Sequence, residues 1–261
     1  MANNISLLEY LQVGPPGLPI SVQRQSRDNT TNAKYSASDI NHVGHWDDFN
    51  LGTIMNHYRA LLADTAIQRE PMPDSPPQPI TSETSLRRRF TLYLESRVRR
   101  ALRSGFQRLV ALDGLGNRAI VSFGEGDLVE TVDNFIPHTA YFQTNLPDST
   151  RPNRAPGDLR PSYKWSSTLQ NGPGDKDRKE FRQALSQVNW YMRQHHARYG
   201  FILTDRELCA IRRLDDPGRL ELSDSIPWTT QGNADQPRLT VLLALWYIGM
   251  LAADNQQWKL D

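Results

Sequence analysis

The sequence predicts an α/β protein, a mixed sheet flanked by helices, preceded by an extension of loop and short helix. Two observations lead there. Residues 82–109 and 175–199 carry apolar side chains at helical spacing. Between and after them lie short runs rich in β-branched and aromatic residues (119–123, 134–144, 157–165, 201–204 and 207–214), each bounded by Gly, Pro, Asn or Asp. Helices and strands mixed in this way bury one face of each against the other.

Taken in order, residues 5–11 suit two helical turns, ended by Gly14-Pro15-Pro16. Residues 21–38 are polar, with few anchors, and read as loop or disorder. Leu51, Ile54, Met55, Tyr58, Leu61 and Leu62 recur at helical spacing within 49–67. The proline-rich run 70–79 reads as a stiff linker. Residues 1–80 are thus an expected extension, and 81–261 an expected domain. In that domain, Leu86, Phe90, Leu94, Val98, Leu102 and Phe106 make the apolar stripe of the first long helix, with eight arginines around it. Those arginines suit a phosphate-tracking face or, more simply, a solvated one. Glu95 has a partner at i+4 in Arg99. The run 157–165 alternates so that Asp158, Arg160, Ser162 and Lys164 share one face. Gln187 and Tyr191, four apart on the second long helix, also share a face. That helix is expected to end at Tyr199, with Gly200 as the residue after its cap. Residues 219–222 read as an edge strand, and 239–253 as a buried terminal helix.

Composition narrows the class. A formal net charge of +1 in 261 residues argues against a strongly electrostatic nucleic-acid binder. The single cysteine, Cys209, leaves no partner for an internal disulfide or a cysteine zinc site, and fits an intracellular protein, cytoplasmic or nuclear. No basic n-region precedes Gly14-Pro15-Pro16-Gly17, so a secretory signal is not expected. The apolar run 239–253 is shorter than the roughly 20 residues a membrane span needs, so no membrane partner is expected.

The chemistry gathers in Ile136-Pro137-His138, Gly157-Asp158-Leu159-Arg160 and Gln187-x-x-x-Tyr191. In this order the chain resembles the core of the PD-(D/E)xK nuclease superfamily, in the branch with a Q-x-x-x-Y motif after the catalytic strands. The phrase from Tyr199 to Leu208, with Ser225-Ile226-Pro227-Trp228, also resembles fungal nuclease-like proteins. The resemblance implies a restriction-endonuclease-like core of order α-β-β-β-α-β. It also implies a magnesium site held by the first aspartate and by the acid of (Asp/Glu)-x-Lys. Here His138 stands at the first aspartate and Arg160 at the lysine; only Asp158 fits. Histidine is a poor magnesium ligand, and a guanidinium does not pass a proton to water near neutrality.

Three readings follow. In the first, the scaffold has lost metal-dependent cleavage and acts on a small molecule by acid/base chemistry, such as proton transfer, isomerisation or cyclisation. His138, Asp158, Arg160, Lys164, Gln187 and Tyr191 are then the catalytic set and need no metal. Tyr141, Tyr163, Trp165 and Trp190 would line the pocket. The second reading is a surviving nuclease using magnesium on DNA or RNA, and the third a non-catalytic binding module using the arginine-rich helix. Strand spacing of roughly 4.8 Å places His138 within reach of Asp158 if the two strands are neighbours.

Overall fold

Two strands at the centre of the chain's main sheet show how the core is divided. β7 (Tyr199–Leu203) and β8 (Glu207–Arg213) are antiparallel and almost wholly buried. Alternate side chains leave opposite faces of a strand. Phe201, Leu203, Leu208 and Ala210 join one apolar cluster, while Ile202, Cys209 and Ile211 join another. The sheet is therefore covered on both faces.

The computed structural model describes residues 3–21, 26, 28–112 and 114–260. β1 (Asn4–Ser6) and β3 (Ala66–Gln68) form a small antiparallel pair. The remaining strands are β2 (His42–His45), β4 (Val121–Glu125), β5 (Thr139–Gln143), β6 (Gly157–Leu159), β9 (Arg219–Leu222) and β10 (Ile226–Pro227). The main sheet runs β2-β9-β8-β7-β6-β5-β4, with β10 paired to β8 off this path. The β2–β9 and β6–β7 pairs are parallel and the others antiparallel, so the sheet is mixed, as the sequence predicts.

One face carries α1 (Leu7–Leu11), α2 (Leu51–Asp64), α4 (Ser96–Leu112) and α6 (Val241–Ala253); the other carries α5 (Asp175–Gln194). α6 is apolar on nearly every side because it lies between the sheet and the other helices. The Thr240 hydroxyl caps α6 by accepting from the Leu243 amide (3.1 Å), and it donates to the Leu11 carbonyl (2.5 Å). The first long helix begins as α3 (Glu83–Phe90), capped by Ser82, passes through a π-helical turn at Thr91–Glu95 and continues as α4. The extra residue of that turn lets Tyr93, Leu94 and Glu95 all be buried in succession.

Described residues from the first 80 pack into the same interior as the rest. Leu7 and Leu11 of α1 and Ile54 and Leu62 of α2 share one cluster with Leu94, Leu102 and Trp246. β2 comes from this region and pairs with β9, so 219–222 is not the edge strand that the sequence predicts. β9 alone would leave a row of open hydrogen-bonding groups, which β2 covers.

Other boundaries also differ. The run 134–144 becomes a strand only from Thr139, because Asp133 and Asn134 take left-handed conformations (φ 52° and 61°) in the turn before it. α5 stops at Gln194, not Tyr199. His196, not Gly200, takes the left-handed position after it (φ 54°), and Gly200 lies inside β7. Part of 21–38, read as loop or disorder, is tied down: the Ala37 amide donates to Gln183 Oε1 (3.0 Å), and Gln183 Nε2 donates to the Thr30 carbonyl (3.1 Å). Residues 22–25 and 27 of that stretch lie outside the described residues. Among the described residues, no helix is long and apolar enough to cross a membrane.

Candidate functional site

The site begins with a glycine. β5 and β6 meet at Thr139 and Gly157, and β6 runs parallel to β7. A Cβ at Gly157 would sit 2.1 Å from the Phe201 ring and 2.4 Å from Thr139 Oγ1, so only glycine lets Phe201 lie across this position. With β6 held there, the next residue, Asp158, is fully buried beside His138, which immediately precedes β5.

The predicted strand 157–165 ends at Leu159. Pro161 has no N–H for the ladder, and the Asp205 carboxylate accepts from the Ser162 amide (2.7 Å) and hydroxyl (2.8 Å), turning the chain away. Ser162 and Lys164 therefore do not extend the Asp158 face. Lys164 Nζ pairs instead with Glu83 Oε1 of α3 at 3.0 Å.

His138, Asp158, Arg160, Gln187 and Tyr191 do come together. His138 Nδ1 lies 2.9 Å from Asp158 Oδ1, and the Asp158 Oδ2 carboxylate oxygen accepts from Arg160 Nε. The other guanidinium nitrogens donate to Asn29 Oδ1 and, at 2.5 Å, to Gln187 Oε1. Gln187 Nε2 in turn donates to the Tyr191 hydroxyl at 2.8 Å. Burial pushes the Asp158 carboxyl upward, but the Arg160 charge and the His138 contact outweigh it and hold the group well below the usual carboxylate range. Burial, with Asp158 nearby, raises the Tyr191 phenol and keeps it protonated.

The His138–Asp158 contact depends on where one proton sits. The Leu159 amide donates to His138 Nδ1 at 2.9 Å, which requires a lone pair there and leaves buried Asp158 Oδ1 without a hydrogen-bond partner. A proton on Nδ1 would satisfy Oδ1 and release the amide. The 2.9 Å separation is therefore a hydrogen bond in one state and an unfilled acceptor in the other. His138 Nε2 has no hydrogen-bond partner among the described residues, and the side chain is 19% exposed. It is the open end of an otherwise sealed cluster, since Asp158 and Arg160 are both buried.

Two of the aromatic residues expected to line a pocket belong to the core instead. The Tyr141 hydroxyl donates to the Leu245 carbonyl (2.6 Å) in the interior. Trp165 is fully buried, stacks on Phe181 at 5.9 Å and donates to its carbonyl. Trp190 packs edge-on against Phe135 (6.1 Å) on α5. Tyr163, with Lys164, borders a cleft of about 430 Å³. Glu95 is buried, accepts from the Thr91 hydroxyl (3.1 Å) and pairs with its i+4 partner Arg99 at 3.6 Å.

Sequence reasoning missed Asn29. Its amide donates to Glu180 Oε2 (2.7 Å) and its side chain to Glu180 Oε2 (2.9 Å) and the Lys164 carbonyl (3.3 Å), so it is locked over Arg160. A lone asparagine in a polar stretch carries no periodic signal that would have marked it.

A divalent cation does not suit this donor set. Magnesium wants several hard oxygen ligands, but Asp158 Oδ2 is already occupied by a guanidinium that would repel the ion. Among the described residues, no group of three or more His, Cys, Asp or Glu is placed to hold a metal. No family model, no curated protein and no solved structure matches this chain.

Proposed function

We propose that the chain is an acid/base enzyme acting on a small molecule, built on a restriction-endonuclease-like scaffold without metal-dependent cleavage. The order α3–α4, β4, β5, β6, α5, β7 follows the α-β-β-β-α-β sequence of that core and supports the scaffold reading. The observation that carries the chemistry is the 2.9 Å approach of His138 Nδ1 to a carboxylate kept ionised by a buried arginine.

In the base form, Nδ1–H donates to Asp158 Oδ1, and the free lone pair is on Nε2, facing the open end. Taking a proton there gives an imidazolium whose second N–H is already neutralised by Asp158. In the acid form the imidazolium returns the Nε2 proton while Nδ1–H stays on Asp158 Oδ1. The neutral Nε2–H tautomer, whose Nδ1 accepts from the Leu159 amide, is a resting form outside this cycle. Asp158 holds Nδ1–H in both the base form and the imidazolium, which suits reversible proton transfer at Nε2 to and from carbon. Arg160 and Gln187 are positioning residues: their hydrogen bonds run to Asp158, Asn29, Tyr191 and each other, leaving Arg160 engaged. Arg160 therefore fixes Asp158 and does not itself clamp a substrate anion. An intracellular setting fits the lone, buried thiol of Cys209.

A reaction-independent assay tests this reading. The purified protein is incubated in D2O with a panel of carbonyl and enolisable carboxylic metabolites, and C–H to C–D exchange is followed by NMR. Exchange at one or more carbon acids is expected, lost in His138→Gln and reduced in Asp158→Asn. No protein-dependent exchange, together with EDTA-sensitive cleavage of DNA or RNA that Asp158→Ala abolishes, would replace this reading with the nuclease one.

A further inference from the structure

A cleft of about 760 Å³ lies between α4 and the start of β4, and none of its lining residues belongs to the His138 cluster. Arg99, Arg103, Phe106 and Val110 recur along the α4 face that borders it, at the spacing that brings side chains above one another. One end of this face is cationic and the other apolar.

Arg103 is exposed and has no hydrogen-bond or ion-pair partner among the described residues. Arg99 reaches Glu95 only at 3.6 Å, outside hydrogen-bond range. Across the cleft stand the hydroxyl side chains of Ser122 and Thr144, and no Asp or Glu lines it anywhere. Of the three arginines that line the cleft, Arg100 pairs with Glu70 (3.2 Å) and Arg99 loosely with Glu95, both outside the lining, so Arg103 is the cation with no carboxylate partner among the described residues. Further along, Val110 is 54% exposed and Ile120 39% exposed, above a buried Phe106. From Arg103 to Val110 the helix rises about 10 Å, long enough for a short apolar chain.

The volume falls within the range of small-molecule sites. Nucleic acid suits the cleft less well. Arg97 of the same helix is buried and donates to the Glu70 and Pro71 carbonyls (2.7 and 2.6 Å), and the cleft's one aromatic ring, Phe106, is too buried to stack on a base.

We propose that this cleft binds an amphiphilic anion, a carboxylate or phosphate head on an unbranched apolar body, with the head on Arg99 and Arg103 and the body along Phe106, Val110 and Ile120. Charge-assisted hydrogen bonds to the head supply orientation, and burial of Val110 and Ile120 supplies most of the affinity.

Calorimetric titration of the full chain with decanoate and with decyl phosphate, each below micellisation, tests this, with decan-1-ol as the neutral control. Both anions are expected to bind, decan-1-ol about tenfold more weakly or worse, and whichever anion binds more tightly identifies the head. The double variant Arg99→Gln/Arg103→Gln should lose about tenfold in anion affinity while keeping a cooperative thermal transition, and Arg103→Gln alone, which breaks no ion pair, should weaken binding with no change in melting temperature. Val110→Asp, at an exposed position, should weaken binding to a similar degree and likewise stay folded. Absence of decanoate binding, equal affinity for decan-1-ol, or unchanged affinity in the double variant would each overturn the proposal. So would binding of a glutamate-rich peptide or a DNA oligonucleotide at this face in place of decanoate, which would make the occupant a macromolecule.

Discussion

Removing the charge of Asp158 while keeping its shape, as Asp158→Asn does, should cost far more stability than a surface change. Asp158 is fully buried, and Arg160 keeps only 4% exposure. Asn29 and Gln187 bind the remaining guanidinium nitrogens but are neutral. The variant thus leaves a buried cation facing amide dipoles alone, and breaking such a pair from one side costs about 3–5 kcal/mol. The double variant Asp158→Leu/Arg160→Met removes both charges and should recover most of that loss. Urea unfolding followed by circular dichroism measures both. The pH dependence carries the same sign. Because the folded Asp158 carboxyl lies below its ordinary value, its contribution is present above about pH 4 and is lost as pH falls below that. The gap between wild type and Asp158→Asn should therefore narrow in acid. An Asp158→Asn protein within about 1 kcal/mol of wild type at pH 7 would show that the pair does not hold this cluster together.

Three other outcomes are expected. Leu94 is fully buried in the π-helical turn, so Leu94→Asp should abolish the cooperative thermal transition; a folded variant would show that this helix does not pack as described. Burial, with His196 nearby, lowers the His195 imidazole to about 4, so stability should fall by about 3 kcal/mol as pH drops from 6.5 to 4. His195→Gln should flatten that part of the profile in denaturant titrations and leave the more acidic Asp158 window unchanged. Asn29→Ala should cost about 1–3 kcal/mol and raise hydrogen exchange in residues 28–40 and near Arg160; unchanged exchange would mean that Asn29 does not fasten this strap.

What was legible in the sequence follows from how local the signal is. The stripe Leu86–Phe106 and the uniformly apolar 241–253 identify helices because periodicity is written into adjacent residues. The approach of His138 to Asp158 was also readable, since neighbouring strands place such residues within a fixed distance. The end of β6 was less so. Alternation through 157–165 looked like one strand, but Pro161 and the distant Asp205 carboxylate turn the chain at Ser162, and no local pattern points to Asp205. Tyr141 and Trp165 show the same limit. Their polar tips find backbone carbonyls on α6 and α5, so rings that read as pocket walls become core. Pairing of β2 with β9 joins segments far apart in sequence, and neither strand alone shows it.

That pairing has a consequence for how the chain folds. Parallel partners near residues 43 and 220 make this one of the longest loops the fold must close, and long-range pairing slows folding. During synthesis at about 5–20 residues per second, β2 leaves the ribosome on the order of ten seconds or more before β9 does. For that interval it is a strand with no sheet to join. Its sequence, His42-Val43-Gly44-His45, suits the wait: one apolar side chain, a glycine that weakens extended structure and two polar imidazoles give another chain little to pair with. Replacing Gly44 and His45 with β-branched residues would strengthen the strand's intrinsic preference and, by the same logic, raise its tendency to aggregate before its partner arrives.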